Sequence, residues 1–363
     1  MGLTKNGMNF KAVMPDKYQS AHNLCFLIHD IMLQALKSGE TAGIFNTSLK
    51  ISHEDEEFLK SSNNIFDLLD AKDRSQDKVK LIRATVLRAV LSDALHCIYE
   101  ALKCSEKGKL NITYMLIRKP IQETLYLIES LFMDGIEFSK SLSENPLTLR
   151  PKNAGGIESH IRRISNIVTL LGDDPRFSAD YIARLRYDKN NEDNFDGICN
   201  LAMHLFTEHK AIKTEKLNVN FIFSDWNSKL SQWSYLYSRL PYLLYYFHVI
   251  IECIFSEVAQ TPSAYILDMQ RRIISSVCLW WKDVDENYQS DELVKFYTIS
   301  KIWLDRHCIK NGFKEPNEEE LIKMANSGAF PNEDEGSVKK RYHDFTSMHE
   351  SNINKKDDLS SMD

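Results

Sequence analysis

With 363 residues, 43% of them apolar and 26% charged, the chain has the make-up of a soluble globular protein and enough length for one large domain or two ordinary ones. A net charge of −6 argues against indiscriminate binding to nucleic acid, and only 13 Gly and 9 Pro argue against turn-rich folds and phosphate-cradling loops. The seven cysteines, odd in number and never spaced C-x-x-C, exclude a disulfide framework or a zinc site and read as reduced thiols, with Cys97, Cys253 and Cys278 inside apolar segments.

Nearly every segment scans with helical period, and no alternating pair of strands with a hairpin turn is found. After an irregular start over residues 1–20, Ala21–Ser38 reads as a helix closed by Gly39, and Ser52–Leu69 as a weaker, charged one. Lys78–Lys103 is the clearest long helix. Its polar members, Arg88, Asp93 and His96 among them, crowd into about 140° of the circumference. The wide apolar arc left over must touch at least two neighbours, which places this helix near the centre of a bundle. A turn at Lys107-Gly108-Lys109 leads into a returning helix over Asn111–Lys140. Pro120 removes one donor from it and clashes with the preceding turn, so a kink or break is expected after Lys119.

Ser141–Gly156 is a loop by its prolines and glycines. Further helices are expected at Ile157–Leu171, Ser178–Arg186, Gly197–Lys213, Trp226–Ser256, Ser263–Asp285 and Asp291–Lys310. Beyond them Asn317 and Glu320 form a capping pair opening Glu318–Asn326, and Ser337 stands in capping position for Val338–Phe345. Thr346–Asp363 is polar and charged and is expected to be disordered. The fold class is therefore all-α: a multi-helix bundle over 21–310 with a small C-terminal helical appendage over 311–345.

Within Leu240–Phe255 only His248 and Glu252 titrate near neutrality. They are four apart and share a helical face with Tyr245, one turn before His248. Such a stripe must be hydrogen-bonded internally or face a cavity, because bare burial of these groups is costly. Two readings follow. One is a polar strip serving structure; the other is a ligand-binding or acid–base stripe in which Glu252 orients His248. The run is too short and too charged for a membrane span. Met1–Asn23 also lacks the basic-then-apolar layout of a signal peptide, so the expected location is the cytoplasm.

His209 falls near the centre of the apolar stripe expected for Gly197–Lys213, where a histidine is ordinarily a neutral core residue bonded to a carbonyl. Arg118 and Lys119, beside Pro120, are placed either to bind an anion or to pair with Glu123 or Glu129. Asp93 and His96 supply the only Asp/Glu-x-x-His spacing, without the further carboxylates a di-metal bundle site requires. No metal or other cofactor is expected. Val338–Arg341 is basic, but the acidic connection Ser327–Gly336 before it argues against DNA binding.

The run Leu116–Pro120 with Leu125 and Leu127-Ile128-Glu129, preceded by Asp93-Ala94-Leu95-His96, resembles a pattern in uncharacterised bacterial all-helical proteins. The likeness spans roughly Arg83–Gly135. More distantly, these resemble the higher-eukaryote-and-prokaryote nucleotide-binding (HEPN) bundles, many of which are ribonucleases carrying Arg, four to six residues, then His. No arginine here has that spacing. Arg88 to His96 and Arg341 to His349 each have seven residues between, which leaves the pair about 80° apart on a helix. The resemblance thus implies a non-catalytic bundle at least as readily as a nuclease.

Three functions are compatible with these residues. The first is a cytosolic, non-enzymatic interaction or regulatory protein that binds an unidentified protein or itself, with Trp280, Trp281 and Trp303 as candidates for an exposed apolar patch. The second is a metal-independent ribonuclease in which Arg88 holds phosphate of an RNA and His96 moves a proton. The third is a small-ligand pocket lined by Tyr245, His248 and Glu252.

Overall fold

The computed structural model describes residues 13–343 apart from 63, 210, 211, 215, 223, 259, 260 and 342, so the tail expected at 346–363 lies outside the described residues. The chain is all-α, as its periodicity requires. In order it forms α1 (Gln19–Thr41), α2 (His53–Ser62), α3 (Ile65–Ala71), α4 (Ser75–Glu106), α5 (Leu110–Lys119), α6 (Leu125–Met133) and α7 (Gly135–Glu144). Then follow α8 (Ile157–Leu170), α9 (Ala179–Tyr187), α10 (Phe195–Met203), α11 (Trp226–Val258), α12 (Ser263–Lys282), α13 (Asp291–Lys310) and α14 (Glu318–Ser327).

Three local expectations are corrected. α1 runs through Gly39 to Thr41. That glycine serves close packing instead of ending the helix, since a Cβ there would lie 2.8 Å from Ile44 Cδ1 and 3.0 Å from Phe255 Cε1. The helix expected over Gly197–Lys213 stops at Met203, and its second half is a small antiparallel ladder of β1 (Glu208–His209) and β2 (Ile212–Lys213). At the C-terminus Asp334, not Ser337, caps the last helical residues, 335–341, by accepting from Ser337 N at 2.9 Å. The capping box of Asn317 and Glu320 forms as its spacing predicts.

The appendage is not a loose addition. Leu321 and Met324 of α14 join the same apolar core as α1, α4, α11 and α12. Gly328, at φ +66°, lets the chain turn against the buried Asp268, whose Oδ1 would be 2.5 Å from any Cβ at that position. Arg271 and Arg341 both donate to Gly328 O and both pair with Asp268, so Arg341 of the basic helix is turned inward.

α11 lies at the centre. From Leu236 to Ile251 all but one of its side chains are buried. A helix wrapped this completely cannot leave a polar group unmatched at low cost. Pro241 within α11 deprives the Tyr237 carbonyl of its usual donor. The indole Nε1 of Trp280 supplies it at 2.7 Å, so Trp280 is a buried core residue and not part of an exposed patch. Trp281 and Trp303 are half-buried, stacked on Tyr297 and His307.

The second irregularity is at Pro120, where the break expected after Lys119 takes the form of a π-helical segment, Pro120–Thr124, joining α5 to α6. α9 satisfies its carbonyls: Arg186 Nε donates to Ile121 O at 2.9 Å and Tyr187 OH to Gln122 O at 3.4 Å. Arg186 also reaches Glu129 at 2.5 Å, and that fully buried carboxylate accepts from Arg163 at 3.1 Å and from Tyr246 of α11 at 3.0 Å. His160 stacks on Tyr187 with centroids 3.8 Å apart, closing the cluster.

These contacts set two expected outcomes. Trp280→Phe should cost about 1–3 kcal/mol beyond its lost apolar area, because a buried carbonyl loses its donor. In a Pro241→Ala background, where the backbone N–H returns, that excess should shrink; equal costs in urea unfolding of both backgrounds would refute the assignment. Glu129→Gln leaves Arg163 and Arg186 without a counter-charge and should cost about 3–5 kcal/mol by the same assay.

Candidate functional site

The sequence-predicted stripe faces a cavity. A space of about 150 Å³ lies between α1, α11 and α12 and is closed at one end by the turn between α8 and α9. Tyr245, His248 and Glu252 all line it, with Val249 and Cys253 of the same helix. α12 adds Tyr265, Gln270 and the apolar Ile266, Met269 and Ile273, while Ile31 comes from α1.

The periodicity did not point to Arg176, the cation of the site. It lies in the segment Gly172–Phe177 between two helices, where no helical face exists to read. There Asp174 accepts from the backbone N–H of Arg176 at 3.0 Å and from its guanidinium Nε at 2.9 Å and Nη2 at 2.6 Å. Phe177 then anchors the turn edge-on against Tyr246, with ring centroids 5.3 Å apart. The guanidinium that results lies 5.2 Å from the centre of the Tyr245 ring. The Asp-Pro turn signal at Asp174-Pro175 was the one available clue.

Burial sets the electrostatics of the cavity. Burial alone lowers the His248 pKa to about 4, so its imidazole is neutral at pH 7. Burial likewise raises the Glu252 carboxyl above its ordinary value. It also raises Tyr245 to about 12, opposed by the neighbouring Arg176. Two polar atoms are shut away from water with no hydrogen bond among the described residues: Glu252 Oε1 and Arg176 Nη1. Buried groups are ordinarily satisfied, so orphans of opposite kind beside one cavity call for an occupant.

His248 and Glu252 share the cavity without touching. Among the described residues no hydrogen bond joins them, so the expectation that Glu252 orients His248 is corrected. The two side chains sit one turn apart, each addressed to the cavity instead of to the other.

The remaining predicted residues are placed elsewhere. Arg88 and His96 are both exposed on α4, and Arg88 donates to Glu40 at 2.7 Å. Lys119 pairs with Asp93 at 2.7 Å, while Arg118 pairs with Asp196 at 2.9 Å and lies 3.7 Å from Glu123. Both cations are thus matched by carboxylates, and Glu129 is taken by other arginines, so the anion-binding reading of Arg118 and Lys119 loses its free charges. His209 stands in β1, opposite Ile212, not on a helical stripe. Its neighbour in the expected helix, His204, is exposed. No group of three or more His, Cys, Asp or Glu among the described residues is arranged to hold a metal ion. No described helix is long and apolar enough to cross a membrane.

No family model, curated protein or solved structure matches the chain. The site is read from its own chemistry.

The buried histidines carry a pH dependence. His22, His160 and His248 are each lowered from 6.5 to about 4, burial being the largest cause in all three. Between those values the unfolded chain binds protons that the folded chain resists. Stability is therefore complete above pH 6.5 and falls as the pH drops toward 4. At pH 5 each contributes a loss of up to about 2 kcal/mol. Denaturant titrations at pH 7 and 5 should show this decline, flattened in His248→Leu. Glu252 acts with the opposite sign, its raised pKa favouring the folded state as pH falls, so Glu252→Gln should steepen it.

Proposed function

We propose that this protein is a non-enzymatic helical bundle that binds a small ligand between α1, α11 and α12. One observation carries the reading. Tyr245, His248 and Glu252, set three and then four apart on a largely apolar stretch of helix, open onto a cavity that also receives Arg176. A core helix without a ligand to bind would fill these positions with aliphatic side chains at no cost in buried polarity. A ligand seated there touches three elements of the core at once, which suits a regulatory protein whose stability or partner choice follows a metabolite.

Metal-independent ribonuclease activity of the HEPN kind has less behind it. It asks Arg88 and His96 to face a basic groove, and their surroundings include Glu40 and Asp93. The interaction reading has an observation of its own, compatible with ligand binding. Leu205, Phe206, Leu217 and Ile222 stand exposed in the segment that holds the β1–β2 ladder, and Trp226 at the start of α11, exposed apolar side chains of the kind that protein partners cover.

Ligand binding is tested by thermal unfolding of the full chain against a panel of metabolites of fewer than about ten non-hydrogen atoms. At least one is expected to raise Tm by about 2–4 °C at saturation. The shift should vanish in Val249→Phe, which fills the cavity from its mouth and should keep the native circular-dichroism spectrum. A panel without effect, or a shift that survives in Val249→Phe, would refute the proposal.

A further inference from the structure

The same cavity carries a statement about the chemical class of its ligand, which rests on the ligand-binding reading above. The titratable side chains that line it are Arg176, Tyr245, His248, Glu252, Cys253 and Tyr265. The positive charge of Arg176 is already answered by Asp174 through three side-chain hydrogen bonds. Burial raises the Tyr245 hydroxyl and the Cys253 thiol, which keeps both neutral, and it keeps the His248 imidazole uncharged. What remains is the Glu252 carboxyl. Its shift has burial as its single cause, and among the described residues no cation acts on it and its Oε1 has no hydrogen-bond donor. The wall opposite, from Ile31, Ile266, Met269 and Ile273, offers hydrocarbon.

We propose that the ligand is a small organic monocation: an alkylammonium ion whose N–H groups donate to Glu252 and whose short aliphatic stem packs on α1 and α12. The charge count favours this over an anion, which would meet Glu252 and Asp174 as well as Arg176. An ammonium supplies donors, and the pair it forms with the carboxylate is shielded from water, where charge-assisted hydrogen bonds are strongest. Size sets the stem. A cavity of this volume takes up a molecule such as benzene, so about five or six non-hydrogen atoms fit. The free Arg176 Nη1 is left to a hydroxyl or carbonyl on the ligand, or to water.

The test uses the full chain and four probes of four carbons each: n-butylammonium, n-butanol, butyrate and 4-aminobutyrate. Each is titrated while the ¹³C-methyl resonances of Ile31, Ile266 and Ile273 are followed. Butylammonium is expected to bind about tenfold or more tighter than butanol, and butyrate more weakly than either. Glu252→Gln, which removes a half-buried carboxylate and should fold at least as well, is expected to lose that advantage while binding butanol unchanged.

Butanol binding as well as butylammonium, butyrate binding best, or a Glu252→Gln variant that keeps the cation preference would each overturn the monocation while leaving a ligand site in place. 4-Aminobutyrate binding tighter than butylammonium would overturn it too, by giving Arg176 a carboxylate to hold. No methyl shift with any probe, together with a metabolite panel that leaves Tm unmoved, would instead remove the ligand site itself.

Discussion

The structure depends on one constraint: α11 is buried around its circumference from Leu236 to Ile251 but for Val249, so each polar group it carries there must be matched within the protein. Two of the matches tie other helices to it. The Tyr237 carbonyl, stripped of its donor by Pro241, is taken by the Trp280 indole, which ties α12 to the centre of the bundle. The Tyr246 hydroxyl donates to Glu129, which ties α6 and, through Arg163 and Arg186, α8 and α9. The third group, Tyr245 with His248 and Glu252, is met by a cavity. The bundle is held by the first two solutions and given a site by the last.

Those solutions share a physical logic. At both interrupted helices a side chain from another helix takes a backbone carbonyl. At Pro241 it is Tyr237 O, stripped of its donor by the proline and bonded by Trp280; at Pro120 it is Ile121 O and Gln122 O within the π-helical segment, bonded by Arg186 and Tyr187. An interrupted helix is therefore not a weak point here. It is where helices distant in sequence are bonded together, and where substituting one partner exposes the other's unmet polarity.

The helices were legible because 3.6-residue periodicity is a local property. α4, α11, α12 and α13 follow their apolar stripes within a few residues, and the Asn317–Glu320 cap is a matter of spacing alone. Burial of the Tyr245–His248–Glu252 face was legible for the same reason, since only that face interrupts an apolar run. The end of α10 was not. The stripe Ile198–Ile212 continues in the sequence past Met203, while the chain turns into a ladder fixed by contacts such as Asn220 Nδ2 to His204 O at 2.9 Å. Arg176 was hidden because turns carry no periodicity, and the lack of contact between His248 and Glu252 because sharing a helical face does not fix rotamers. Fates of long polar side chains such as Arg118, Lys119 and Arg341 depend on which carboxylates the tertiary fold brings near.

If the space beside His248 is a binding site and not a packing defect, a ligand can be seen in it. The most direct measurement is a crystal structure of the full chain grown with n-butylammonium as the sole organic cation. Density for the ion is expected in the cavity, its nitrogen within hydrogen-bonding distance of Glu252 Oε1. A cavity closed by its own side chains, or filled only by water bridging Glu252 to Arg176, would contradict it.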